Sequence, residues 1–292
     1  MYLPPALGPE GLIAGLPRAG TTLALTLLQT LPRVIALDEA LREPELRLAT
    51  TSSDIAVITR RFLREQRRLA QDEGLVWTYN KEGVVSSDQF DGPIRNNLRS
   101  RTVNASWAKL PHPLTPKTML VAKQPVVFTA ALDVMTQIWP MIGVVRNPIA
   151  VLGSWNSVDF GIRTGRAAVP ERLHPDLQKQ LEALPDQYDR QVALVHWFLG
   201  RLKQYLPADR LIRYEDIVSS GGSVLSVLVP EASSLNTPLE TRNRSDSYDP
   251  GILLTVGERM LASEGPAWEV YSKAEASALL DEMLAGGVSV VR

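Results

Sequence analysis

Gly11-Leu-Ile-Ala-Gly-Leu-Pro-Arg-Ala-Gly-Thr-Thr22 is the stretch from which the rest of the chain is read. Gly11 to Gly15 is a short apolar run entering a turn, the pattern of a buried strand. Leu16 to Thr22 forms the turn, and Leu23 to Leu31 has a helical pattern closed by Pro32. Strand, glycine loop and helix together make the opening unit of an α/β nucleotide-binding fold. Gly15 and Gly20 have the G-x4-G spacing of a phosphate loop, but Thr21 stands where nucleoside triphosphatases carry their lysine. Backbone amides and a helix N-terminus suit a phosphate without that lysine. ATP chemistry is disfavoured, because nothing in the loop reaches a γ-phosphate. Taken alone, the spacing also fits a tight turn followed by a capped helix.

Outward from this unit the same alternation repeats. Met119 to Ala122 reads as a strand ending at Lys123-Gln-Pro125, followed by a helix over 126–138. Met141 to Val145 is a further strand ending at Arg146, with a helix over 149–156. Residues 187–205 are an amphipathic helix, Leu211-Ile-Arg213 is a short strand leading into Tyr214-Glu-Asp216, 231–250 is a loop, and a last helix lies near 273–285. Residues 54–71 have helical period and carry Arg60, Arg61, Arg64, Arg67 and Arg68, which suggests a solvated amphipathic helix. Residues 74–116 are polar, aromatic and turn-rich. The expected fold is α/β: a P-loop-like three-layer α/β/α arrangement with a mostly parallel central sheet. One domain is expected over 1–292, with 50–116 as a substrate-facing insertion. Ligands of such sheets bind outside the carboxyl ends of the strands. Arg18, Lys123 and Arg146 each follow a strand, so one shared site is expected there.

Composition narrows the chemistry. Of 292 residues, 45% are hydrophobic and 22% charged, ordinary for a globular chain. Lys plus Arg number 31 against 32 Asp plus Glu, so neither nucleic acid nor an anionic membrane is expected as a partner. There is no cysteine, which excludes disulfides, thiolate metal sites and cysteine nucleophiles in this chain. His112, His174 and His196 are the three histidines, and all read as structural or solvated rather than as a metal site. The first positive charge is Arg18, and no uncharged apolar run reaches about 18 residues. A cytoplasmic enzyme is the expectation.

Pro17-Arg-Ala-Gly-Thr-Thr-Leu23 resembles the 5′-phosphosulfate loop of sulfotransferases that use 3′-phosphoadenosine-5′-phosphosulfate (PAPS). Ala19 stands where serine is usual in that family, and the arginine after the proline resembles the tyrosylprotein and carbohydrate branches. Val144-Val-Arg-Asn-Pro-Ile-Ala-Val-Leu-Gly-Ser154 resembles the family's 3′-phosphate element, with Arg146 and Ser154 at the family spacing. An arginine fork at a strand end suits a phosphate. Leu211-Ile-Arg-Tyr-Glu-Asp-Ile217 resembles the strand end near the adenine, which implicates Tyr214. The resemblance implies that Pro17, Arg18, Ala19, Gly20, Thr21, Thr22, Arg146, Ser154 and Tyr214 bind PAPS and its product, 3′-phosphoadenosine-5′-phosphate. It also implies a basic segment closing on the 3′-phosphate, for which Arg242 and Arg244 are candidates; the other reading of both is surface loop charge.

Sulfuryl transfer is an in-line displacement that needs a base, a cation and a nucleotide clamp, and no metal. The histidine that the small-molecule branch carries at its strand end is absent from Lys123-Gln-Pro125. The arginine-type branch has a glutamate after the first helix, and Asp38-Glu39 lies in register with it. Glu39 is therefore the candidate general base, with Asp38 and Glu43 in reserve. The other reading of Glu39 is a helix-start carboxylate before Ala40 to Leu48. Lys123 is the candidate cation at the transferring group, with Arg18 sharing that work. The expected acceptor is a small-molecule or glycan hydroxyl, for which Trp77, Tyr79, Phe90 and Trp107 offer apolar or stacking surface. Two other readings stay open: another P-loop transferase such as a small-molecule kinase, and a non-catalytic nucleotide-binding protein.

Overall fold

A computed structural model describes residues 9–41, 43–83, 89–90, 94–95, 98–110 and 114–286; His112 lies outside the described residues. The first half runs β1 (Glu10–Gly15), α1 (Thr21–Gln29), β2 (Val34–Asp38), α2 (Glu43–Leu48), α3 (Ser52–Asp72) and β3 (Leu75–Asn80). Then come β4 (Ile94–Arg95), β5 (Leu98–Arg99), β6 (Asn104–Lys109), β7 (Met119–Lys123), α4 (Pro125–Ala130), α5 (Leu132–Met135), β8 (Met141–Val145) and α6 (Pro148–Asn156). The rest is α7 (Ala168–Leu173), α8 (Pro175–Glu182), α9 (Gln187–Tyr205), β9 (Leu211–Arg213), α10 (Tyr214–Ser219), α11 (Pro250–Ala262) and α12 (Lys273–Gly286).

Five strands pair in the order β2-β7-β1-β8-β9, every pair parallel. The fold is a three-layer α/β/α sandwich. Side chains alternate between its two faces. Ile13, Ala36, Val121, Ile142 and Val144 pack with Ala24, Leu25 and Leu28 of α1 and with Ile217 of α10. Leu12, Ala14, Leu37, Leu120, Ala122 and Val145 face a thicker layer that includes Phe62 of α3, Phe128 of α4, Trp155 of α6 and Phe198 of α9. With both faces covered, the strands carry near-continuous apolar runs, as parallel sheets do.

Several expectations change in detail. Val34–Asp38 is a sheet strand, where the sequence reading placed none. The helix expected over 126–138 breaks at Ala131, whose φ of −111° and ψ of 17° are not helical. Helix α3 is amphipathic, yet it belongs to a core layer, and Arg60 and Arg67 are buried rather than solvated. Arg67 donates from its two terminal nitrogens to the carbonyls of Thr118 at 3.2 Å and Pro9 at 2.9 Å, which ties α3 to the start of β7 and the residue before β1. Within 74–116, β3 and β6 form an antiparallel pair placing Trp77 opposite Trp107. Among the described residues, no helix is long and apolar enough to cross a membrane.

Candidate functional site

The register of the sheet brings five strand ends to one edge. Asp38 pairs with Lys123, Gly15 with Val144, and Val145 with Arg213. The chemistry-bearing residues therefore run in one line: Asp38 and Glu39, Lys123, the loop after Gly15, Arg146, and Tyr214. All five groups singled out in the sequence converge there.

The loop at the centre of this line is held from behind. Thr129 Oγ1 accepts from the Gly15 amide at 3.0 Å and donates to its carbonyl at 3.2 Å. Trp155 Nε1 donates to the Pro17 carbonyl at 2.8 Å, and Arg146 Nη1 to the Arg18 carbonyl at 3.1 Å. Because a trans peptide sets C=O and the next N–H in opposite directions, the Arg18 amide is turned away from α6. Gly20 precedes α1 at φ 95° with no side-chain cap, so the first-turn amides keep their donors for a ligand. Glycine is required here: a Cβ would lie 2.6 Å from Tyr214 Cδ2 in a left-handed conformation. Ala19 is wholly buried, so its methyl group packs in the core.

On one side of the loop lies a guanidinium cluster. Arg18, at φ 66°, donates from Nε to Ser154 Oγ at 3.1 Å and lies 4.9 Å over the Phe90 ring. Arg146 is only 6% exposed. It donates to the Arg18 carbonyl, to Asn243 Oδ1 at 2.8 Å and to the Arg242 carbonyl, and it stacks 4.6 Å over the Tyr214 ring. Among the described residues every acceptor bonded to Arg146 is neutral. Tyr214 is buried between this guanidinium and Gly20, and its hydroxyl accepts from the Arg242 amide at 2.7 Å. Segment 242–243 thus closes over Arg146 through its backbone and the Asn243 amide, while the Arg242 and Arg244 side chains are exposed.

On the other side lies a charge-balanced cluster. Lys123 is 1% exposed, and its ammonium donates to Thr22 Oγ1 at 2.9 Å and Asp38 Oδ1 at 2.6 Å, with Glu39 Oε1 at 2.9 Å. The ammonium thus has one neutral and two carboxylate partners within the cluster. Since Thr22 Oγ1 accepts from Lys123, its own proton is left to point elsewhere. Glu39 has φ 40° and donates its amide to the Lys123 carbonyl at 2.8 Å. It is a strand-end residue, not the first residue of a helix, and α2 begins only at Glu43. Its side chain is 23% exposed, whereas Asp38 is 1% exposed. Glu43 faces solvent and pairs with Arg47. Of the three carboxylates, Glu39 alone is both built into the site and open to it.

Arg101 completes the cluster. It donates to Glu39 Oε2 at 2.8 Å and Gln89 Oε1 at 2.6 Å, and stacks 4.4 Å over Tyr79. Gln89 Nε2 donates to Asp38 Oδ2 at 2.5 Å. Burial raises the proton affinity of Glu39, but the Lys123 ammonium and the Arg101 guanidinium outweigh it and hold the carboxyl below its usual range. For Asp38 burial wins over Lys123, and its carboxyl is pushed up. Burial works against the Lys123 charge, and the two carboxylates more than offset it.

Arg101, Gln89, Thr129 and Asn243 carried no signal in the sequence: each is a polar residue in a loop or on a short helix, without a motif around it. The described histidines stay structural. His196 Nδ1 accepts from the Ala267 amide at 3.2 Å, so Nε2 carries the proton and donates to Ser263 at 2.7 Å. His174 Nε2 donates to the Ala130 carbonyl at 2.7 Å. Trp77 and Trp107 meet edge to face on the hairpin, 5.2 Å between centroids.

No protein-family model matches the chain, and no curated protein shows significant similarity to it. The site itself sets what chemistry is open to it. It joins an uncapped helix start and a buried arginine with neutral partners to a carboxylate held ionised by two cations.

Proposed function

We propose that the chain is a PAPS-dependent sulfotransferase acting on a small-molecule or glycan hydroxyl, with Glu39 as general base. The observation that carries this reading is Arg146: a nearly buried guanidinium whose bonded acceptors among the described residues are neutral. Burying an uncompensated charge is costly, and an anionic ligand relieves that cost. The residues present fit the nucleotide. The amides of Gly20, Thr21 and Thr22 suit its 5′ end. Arg146 and Ser154 suit the 3′-phosphate, whose oxygens would replace the Arg242 carbonyl and the Asn243 amide oxygen around Arg146. PAPS supplies a sulfuryl group on a phosphate leaving group. Pro17 and Ala19 shape the loop, and Arg18 and the hydroxyl proton of Thr22 offer charge and a donor at its mouth. Glu39 takes the proton of the acceptor hydroxyl as that oxygen attacks sulfur, and Lys123 with Arg101 fixes the carboxylate's orientation. No step in this scheme calls for a metal.

The test is calorimetric titration of the full chain with 3′-phosphoadenosine-5′-phosphate against AMP, ADP and Mg-ATP. Metal-independent binding that requires the 3′-phosphate is expected. Arg146→Ala should weaken it roughly 10- to 100-fold, the worth of a charge-assisted hydrogen bond. Binding of Mg-ATP alone would overturn the reading in favour of a small-molecule kinase. Binding of the nucleotide without turnover of PAPS on any hydroxyl acceptor would leave a non-catalytic nucleotide-binding protein.

A further inference from the structure

Asp38 has no task in the scheme above, yet it is the most completely held carboxylate of the site. It is 1% exposed, and each oxygen has a donor: Lys123 Nζ at 2.6 Å and Gln89 Nε2 at 2.5 Å. Glu39 shares the same ammonium at 2.9 Å. Consecutive residues of a continuing strand would send these side chains to opposite faces. The positive φ of Glu39, 40°, interrupts that alternation, and both carboxylates reach one lysine. The charged groups facing the pair are Lys123 from β7 and Arg101 from the segment before β6; the neutral ones are Gln89, Thr22 of α1, which meets Lys123, and Thr78 of β3, which accepts from the Asp38 amide at 2.8 Å. Two cations therefore serve two carboxylates.

We propose that Asp38 is a positioning residue that keeps Glu39 basic enough to take a proton, by claiming a share of the Lys123 ammonium. The proposal rests on the reading of Glu39 as the base. With Asp38 neutral, Lys123 and Arg101 would both act on a single carboxylate, and two cations against one anion make a poor proton acceptor. Burial, which pushes the Asp38 carboxyl up while the cations hold Glu39 down, makes Asp38 the first of the two to protonate as pH falls. The acid limb of activity then belongs to Asp38: as it protonates, Glu39 loses its like-charged neighbour and weakens as a base.

The experiment is a carbon-13 NMR titration of the Asp38 and Glu39 carboxyl carbons in the full chain, from about pH 2 to about pH 9, a span that covers carboxylates shifted in either direction. The higher midpoint is expected on Asp38. In Asp38→Asn the Glu39 midpoint should fall by about one pH unit, a tenfold loss of proton affinity. An unmoved Glu39 midpoint, or the higher midpoint on Glu39 in the wild type, would overturn the proposal. Should Asp38→Asn fail to fold, the order of the two wild-type midpoints decides by itself. The titration needs no turnover, so failure of 3′-phosphoadenosine-5′-phosphate binding would sink the sulfotransferase reading and leave the carboxylate coupling measured. In an active preparation, the acid limb of kcat/KM should follow the Asp38 midpoint and shift to lower pH in Asp38→Asn, which a purely structural role would not produce.

Discussion

Glu39→Gln is expected to lower turnover by roughly 10²- to 10⁴-fold, the usual contribution of a positioned general base, with affinity for 3′-phosphoadenosine-5′-phosphate unchanged. The two halves of this result come from different parts of the site. Glu39 lies beyond Lys123 at the β2 end of the line, whereas in the proposed scheme the phosphate groups would meet the loop after β1 and the end of β8. Glutamine has nearly the shape of glutamate, and its carbonyl oxygen can still accept from Lys123 or Arg101. It cannot accept a proton from a hydroxyl at neutral pH. The wild-type carboxyl is held below its usual range by Lys123 and Arg101 against the opposing effect of burial, so the base form is already present at neutral pH. Acidification removes it only below the ordinary carboxylate range. Single-turnover kinetics with saturating PAPS, beside calorimetry of the product nucleotide, separates chemistry from binding. Full activity in an assay limited by chemistry would remove Glu39 from the mechanism. Neither reserve carboxylate offers a ready substitute, since Asp38 is sealed from solvent and Glu43 faces away on α2.

Lys123→Met should be the most destabilising substitution at the site, by about 3–5 kcal/mol, because removing one partner of a buried ion pair leaves the other uncompensated. Here the partner left without a cation is Asp38, almost wholly buried, while Glu39 keeps Arg101. Part of the loss is relieved as Asp38 takes up a proton, so destabilisation should be smaller at mildly acidic pH than at neutral pH. The sign follows from the carboxyl that burial already pushes up: without the ammonium its proton affinity in the folded state rises further, and stability falls as pH rises through that value. Thermal unfolding followed at two pH values reads this directly. The double variant Asp38→Leu with Lys123→Met should recover much of the stability, since apolar residues of similar volume often replace a buried ion pair at little cost. It should not recover turnover, because Thr22 and Glu39 would both have lost the ammonium that orients them. A double variant as active as the wild type would reduce the Lys123–Asp38 pair to packing between β2 and β7.

The parts of this protein that the amino-acid sequence settles unaided are those written in short windows. Gly11–Gly15, Met119–Ala122 and Met141–Val145 are apolar runs that leave no alternative to burial, and each soon gives way to a basic residue, Arg18, Lys123 or Arg146. The helix over 187–205 matches its observed span because its apolar period is long and its ends are marked by Asp186 and Pro207. Val34–Asp38 escaped notice because five residues between Arg33 and Glu39 carry too little pattern to separate a strand from a loop.

Only the tertiary structure decides who faces whom across the site. Gln89 meets Asp38 over a separation of 51 residues, Arg101 meets Glu39 over 62 and Lys123 meets Asp38 over 85. None of these pairs has a local signature: Lys123 meets Asp38 only because β7 lies beside β2, in a strand order set by the summed burial of whole layers, and Gln89 and Arg101 arrive from the segment between β3 and β6. The turn of Glu39 into the site depends on one positive φ that its residue type disfavours and the surrounding cations hold in place. Arginine at a strand end is visible in the chain as letters; that Arg146 is nearly buried among neutral acceptors is visible only once Arg18, Arg242 and Asn243, up to 128 residues away, fold around it.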